Sequence, residues 1–278
     1  MIERPLPATR WVALAIVPFL VVAVVVLFAA PERTGELFAW PIAPPLSAFL
    51  LASAYLGGIA YFLAVLRTPS WHRVRHGLPA VAVFASALLV TTLLHLDRFS
   101  SNLPFAVWLV LYATTPIAMV CLLVLQHGHD PGARRGALHE ADVAIPAAVR
   151  VALAAIGLAA LAAGAAALVA PGWLAELWAW QLTPLTARAT GAVLTLTGVV
   201  NLAMLRDRRW SAFRILYGAQ LLSLAAIVVS LIVRRDDLLW DRPLTVPFLA
   251  LVAAALLAYG AVAVWCELTR LGQLVALA

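Results

Sequence analysis

Eight stretches of nearly unbroken apolar residues, separated by short polar or basic segments, dominate the chain. They run Trp11–Ala30, Ala48–Leu66, Pro79–Leu96, Phe105–Gln126, Val151–Ala170, Ala187–Leu205, Ile215–Val233 and Val246–Trp265. Roughly 20 apolar residues cross a hydrocarbon core about 30 Å thick. A segment in lipid must be helical, because no backbone group can be left unpaired there. The pattern therefore predicts an all-α integral membrane protein with eight transmembrane helices. Residues 1–130 hold the first four and 148–278 the second four, joined by a cytoplasmic linker at 131–147. The surrounding segment, 127–150, is the one long polar stretch, so any chemistry is expected within the membrane or at its interfaces.

The pattern also repeats. Pro31, Glu36, Trp40, Pro44, Leu56 and Gly58 recur without a gap as Pro171, Glu176, Trp180, Pro184, Leu196 and Gly198. After a one-residue slip, Arg67, Trp71, Arg75 and Asp97 match Arg206, Trp210, Arg214 and Asp236. So long a period is not a solenoid; it suggests an internal duplication. Two units with an even number of spans share an orientation, so the expected arrangement is two parallel four-helix repeats about an axis along the membrane normal.

Composition agrees with lipid as the solvent: 64% of residues are hydrophobic and 12% charged, with a mean hydropathy of +0.99. All 19 basic residues are arginine. Thirteen lie in the N-terminal segment, the loops at 67–77, 127–150 and 206–214, and the C-terminal segment, against six on the other side. The positive-inside rule then places both termini in the cytoplasm of a bacterium, with the protein in its plasma membrane. The net charge of +6 is thus a topology signal and gives no reason to expect nucleic acid. The first apolar run exceeds the 7–15 residues of a signal-peptide core and lacks an A-x-A site, so it is expected to remain as the first helix. Cys121 and Cys266 are expected to be reduced packing residues.

The segments after helices one and five contain Trp40, Trp178 and Trp180. They read as short interfacial helices, Glu36–Trp40 and Leu174–Trp180, lying flat at the headgroup level, either as anchors or as a lid. Ala54-x3-Gly58, Ala160-x3-Gly164, Gly191 and Gly198 mark close helix packing. Pro18 and Pro116 are expected to interrupt helices one and four.

Candidate chemistry is sparse. Thr183-Pro184 is a helix start, which puts Arg188 in the first turns of helix six, where charge in a span needs a reason. An ion pair with Asp236 or Asp237 at the end of helix seven is expected, serving as a staple or as part of an anion site. His95 reads as the histidine close to a span, with Asp97 on a different helix face. Asn201 and Gln220, with Thr195, Thr197 and Tyr217, form the richest polar group at mid-membrane. The linker carries His127, His129, Asp130, His139, Glu140 and Asp142, but its H-E-A-D-V lacks the second histidine of a zinc helix. No metal and no cofactor is expected: a phosphate loop, a nucleophile elbow and a dinucleotide fingerprint are all missing from the sequence. A second histidine within a span, needed for a bis-histidine haem, is missing too.

The block from Trp178 to Ala192, WAWQLTPLTARATGA, and the run Thr92–Phe99, TLLHLDRF, resemble uncharacterised multi-span proteins of high-GC bacteria that carry an internal duplication. The resemblance covers most of the duplicated region and implies membrane residence but no activity. The expected function is a carrier or binding protein for a small or lipidic ligand. Its pocket would lie between the halves and open outward near Arg188, His95 and Asp97. The alternative is a non-catalytic membrane subunit or scaffold for a protein partner. A polar, water-filled cavity would favour a carrier, and a tightly packed interior a scaffold.

Overall fold

The computed structural model describes residues 4–128, 130 and 142–277. In chain order the helices are α1 (Pro7–Ala29), α2 (Thr34–Leu37), α3 (Pro45–Arg67), α4 (Gly77–Leu94), α5 (Leu103–Leu125), α6 (Ala147–Val169), α7 (Pro171–Leu177), α8 (Pro184–Ala203), α9 (Trp210–Val233) and α10 (Thr245–Leu277). Among the described residues, eight helices are long and apolar enough to cross a membrane, all except the short α2 and α7. The chain is a multi-pass, membrane-embedded helical protein.

Local chemistry explains the helix starts. Proline occupies the first turn of α1, α3, α5, α7 and α8, where its missing N–H has no intrahelical partner to lose. Asn102 caps α5 through Phe105 N at 2.9 Å. Thr183 and Thr186 close a reciprocal box at the start of α8, as the Thr-Pro pair predicts. α3 has no cap of its own; the Leu46 N–H donates instead to Asp237 Oδ2, 3.0 Å away and beyond the end of α9. α10 runs twelve residues past the expected end of its apolar stretch, Trp265. Glu267, Thr269, Arg270 and Gln273 end the hydropathy but not the helix, and Glu267 pairs with Arg270 at 3.2 Å. Pro18 and Pro116 lie inside continuous helices rather than breaking them.

α1 packs on α3 and α6 on α8, while α4 packs on α5 and α9 on α10. The crossed pairs α3–α9 and α4–α8 join the N-terminal four spans to the C-terminal four. α3, α4 and α8 bury 56% of their most apolar window and α10 only 11%, so α10 lies at the periphery. Lipid gives no hydrophobic drive between helices, so backbones must approach closely. They do so along α6 and α8: a Cβ on Gly164 would stand 2.7 Å from Gly191 O, and one on Gly191 2.8 Å from Gly164 O. Gly157 and Gly198 repeat the arrangement one step along. In α3 the tight contact belongs to Gly57, against Ala219 and Ser223 of α9, whereas Gly58 meets only Leu20.

One end of the bundle carries the arginine-rich loops; the other is called distal below. The distal tryptophans correct the sequence expectation. The flanking helices stop at Leu37 and Leu177, and Trp40, Trp178 and Trp180 follow them as buried core residues at 1%, 5% and 1% exposure. They do not lie flat on a surface. Trp40 and Phe38 stack edge-on against Trp108, as Trp180 and Trp178 pack against Phe248. Backbone bonds Ser100 N to Ala39 O (2.9 Å) and Leu239 N to Ala179 O (2.8 Å) pin the two turns. Trp180 Nε1–H reaches Ser47 Oγ at 2.9 Å, which ties the second turn to α3.

Candidate functional site

Arg188 does not meet Asp236 or Asp237. α8 faces α6 and α4, and α9 faces α3 and α10, so the ends expected to be neighbours are separated. Asp237 holds Arg234 at 3.3 Å and caps Leu46, while Asp236 stands in the open beside Arg235. Arg188 instead donates through Nε to Leu168 O (2.9 Å) at the end of α6, and through Nη1 to His95 Nε2 (2.6 Å) just past α4. A guanidinium only donates, so His95 Nε2 must accept and its proton sits on Nδ1. Burial and the Arg188 charge both hold the His95 pKa below the ordinary histidine value, consistent with a neutral ring. Asp97 turns away to Arg98 at 3.0 Å and is exposed.

The mid-membrane polar residues separate into pairs. Tyr259 donates to Asn201 Oδ1 (2.7 Å), Gln220 to Thr197 (2.8 Å), and Tyr55 shares a 2.7 Å bond with Tyr112. Asn201 Nδ2 is buried without a partner. Only Gln220 of the sequence-derived site residues borders a cavity of about 120 Å³. This cavity lies between α3 and α4 on one side and α8 and α9 on the other, with α1 and α5 closing it. Its walls are Ile16, Leu20, Phe62, Phe84, Leu111, Leu216 and similar side chains, and Tyr55, Tyr112, Thr115, Gln220 and Ser223 give it a polar margin. Arg188, His95 and Asp97 are not part of it, so the expected outward opening at those residues is not there.

Next to the cavity-lining Gly77, at the arginine-rich end of the bundle, lies an ionic cluster that sequence spacing does not reveal. Gly77 lines the cavity and makes room for the Tyr61 ring, whose hydroxyl donates to Val74 O at 2.7 Å. The next residue back, His76, stacks on Phe213 with ring centres 4.8 Å apart and planes 6° from parallel. Because α4 begins at Gly77 rather than Pro79, His76, like His95, borders a span.

His76 Nε2–H donates to Asp207 Oδ2 (2.9 Å). Arg209 grips two carboxylates, Asp130 at 3.0 and 2.6 Å and Asp207 at 3.0 and 2.8 Å. Arg75 completes the set, 3.1 Å from Asp130 and 3.7 Å from Asp207. Among the described residues two arginines thus face two aspartates. The linker seals it: Ile145 N bonds Arg208 O, Trp210 N bonds Val143 O, and Asp142 accepts from Ser211 N (3.0 Å) and Oγ (2.5 Å). Ser211 Oγ also lies 3.2 Å from His72 Nε2.

The electrostatics follow from burial. Desolvation alone would raise the Asp207 pKa, but hydrogen bonds from His76 and Arg209 outweigh it and hold the carboxyl far below its usual range. Desolvation, helped by Arg75 and Arg209, pushes His76 below the ordinary histidine value despite Asp207. Burial likewise works against the Arg209 charge, but its two aspartates raise it further above its already high pKa.

Of the linker residues considered as metal ligands, His129, His139 and Glu140 lie outside the described residues. Asp130 and Asp142 are engaged as above. Among the described residues no group of three or more His, Cys, Asp or Glu side chains is placed to hold a metal ion. Compared with known proteins, the chain matches no family model, no curated sequence and no solved structure.

Proposed function

We propose that this is a plasma-membrane binding protein or carrier for a small apolar or lipidic ligand, held between two parallel four-helix halves with both termini cytoplasmic. The cavity between α3–α4 and α8–α9 carries this conclusion. About 120 Å³ of mainly apolar space matches the dry cavities that accept a single ring or a few methylene groups. A small polar or ionic solute would find too few partners there. Support for the two halves comes from the packing. α1–α3 and α4–α5 recur as α6–α8 and α9–α10, and the crossings α3–α9 and α4–α8 exchange under the same renaming. The paired distal turns and aromatic clusters follow the same rule.

Native mass spectrometry of gently extracted protein tests the ligand. A stoichiometric adduct of one mass is expected. It should be lost in Ala80→Phe and Ala85→Phe, which fill the cavity, while thermal melting shows both variants folded. A ladder of bulk phospholipid unchanged by either variant would overturn the proposal. A stoichiometric protein companion in place of the adduct would establish the scaffold alternative, for which the weakly covered α10 offers a face.

A further inference from the structure

At the distal end, Arg33, Arg98, Arg234 and Arg235 each have a carboxylate within 4 Å, namely Glu36, Asp97, Asp237 and Asp236, and Arg242, which bonds the Glu176 carbonyl, stands outside the spans. Arg188 differs. It lies four residues inside spanning helix α8, and its partners are a carbonyl oxygen and a neutral imidazole. Both satisfy donors without cancelling charge. Its own helix start adds positive potential, and the C-terminal ends of α4 and α6 offset it only in part. Charge within a span is costly and marks a functional position, and no described acidic side chain lies within ion-pair distance of Arg188 to cancel it.

Donors also remain. Arg188 Nη2 makes no hydrogen bond among the described residues, and it is not sealed in the interior. The 2.6 Å contact to His95 Nε2 and the 2.9 Å bond to Leu168 O together fix the orientation of the guanidinium and leave Nη2 free of both. A planar cation held in this way, at the level where three spanning helices end or begin, suits a tetrahedral oxyanion. We propose that Arg188, positioned by His95, forms a binding site for one phosphate group at the distal rim, supplied by a phospholipid headgroup or by free phosphate. The ionic cluster at the other end makes the contrast, since its arginines are already matched by aspartates.

The test is chemical protection of the full-length protein in nanodiscs. Phenylglyoxal labelling of Arg188, read by peptide mass spectrometry, is compared in digalactosyldiacylglycerol alone, with added phosphatidylglycerol, and with millimolar inorganic phosphate. Labelling should be fast in the phosphate-free galactolipid. A several-fold slowing by phosphatidylglycerol alone identifies the lipid headgroup as the source, and a slowing by inorganic phosphate identifies the free ion. Equal labelling in all three would overturn the proposal, and no variant has to fold for that result. In native mass spectra, Arg188→Gln should then lose the one tightly retained phosphate-bearing species, and His95→Ala should weaken its retention about tenfold. Ala80→Phe should leave it intact, so failure at this rim and failure of the apolar cavity are separable.

Discussion

Replacing Arg209 with methionine removes the cation that holds two buried carboxylates. Four side-chain bonds of 2.6–3.0 Å disappear. Arg75 remains 3.1 Å from Asp130, and His76 remains 2.9 Å from Asp207, so neither carboxylate is left bare. Breaking a buried ion pair from one side costs about 3–5 kcal/mol. The surviving Arg75, itself partly exposed, places the loss near the bottom of that range, about 3 kcal/mol. For a chain of this size that corresponds to a melting point lower by roughly 5 °C. Arg209→Lys retains the charge but loses the fork, and is expected to cost about 1 kcal/mol.

The pH dependence sharpens the test. In the native protein His76 is held below its unfolded value, so its contribution is present at high pH and is lost on acidification through about 6.5. In the methionine variant the repulsion from Arg209 is gone while Asp207 still faces His76. The folded His76 pKa therefore moves up toward its unfolded value, and the variant loses less stability on acidification. The stability gap between the two proteins should narrow from pH 8 to pH 6. Thermal unfolding in nanodiscs, followed by tryptophan fluorescence, measures it. A loss under about 1 kcal/mol at pH 8, or a gap that is constant or widens toward pH 6, would refute the reasoning.

Two further outcomes are expected from the packing and the caps. Gly191→Leu forces atoms into space already 2.6 Å from Ala167 Cβ and 2.8 Å from Gly164 O. It should destabilise by at least about 1–3 kcal/mol in the same melts, whereas Gly218→Ala, with nothing within 4 Å, should be neutral or gain up to about 1 kcal/mol. Asp237→Ala uncaps α3 and frees Arg234. A loss of about 1–2 kcal/mol is expected, with faster hydrogen exchange at Leu46 as the local reporter.

How far the sequence could be read depended on the range of each signal. Hydropathy is local, so all eight spans and their order are legible, and so is the Thr183-Pro184 start of α8 with its cap. Glycine spacing is local too: it marks Gly164, Gly191 and Gly198 as close-packing positions without saying that α6 and α8 pack on each other, and it chooses Gly58 over Gly57 in α3. Tryptophan at a helix end has two physical uses, headgroup anchoring and core filling, and only the turn after Leu37 or Leu177 decides between them. Partner choice between helices is a global property. Arg188 and Asp236 look adjacent if α8 packs on α9, but the crossed pairing with α4 takes that neighbour away. The ionic cluster was hidden for the same reason. Asp130 and Arg209 are 79 residues apart, and the arginines of 206–214 register in the sequence only as positive-inside charge.

The cluster also bears on how two halves related by the proposed duplication could carry a single site. On the proposed duplication, residues near the pseudo-axis meet their own counterparts. His72 and Ser211 occupy matching positions and stand 3.2 Å apart. Two identical charged residues there would repel one another, so a polar, unlike pair is the stable solution. Arg75 and Arg214 also match, but they are drawn to different carboxylates, Arg75 to Asp130 and Asp207, Arg214 to Glu267 at 2.6 Å. The positions matching Asp207 and Arg209 are Thr68 and Ser70, which cannot build a second cluster. Nor could restored charges do so, because Asp130 belongs to the segment joining the halves, and the chain has only one such segment. The cluster is therefore built once per chain, from Arg75 and His76 before α4, Asp207 and Arg209 before α9, and Asp130 after α5.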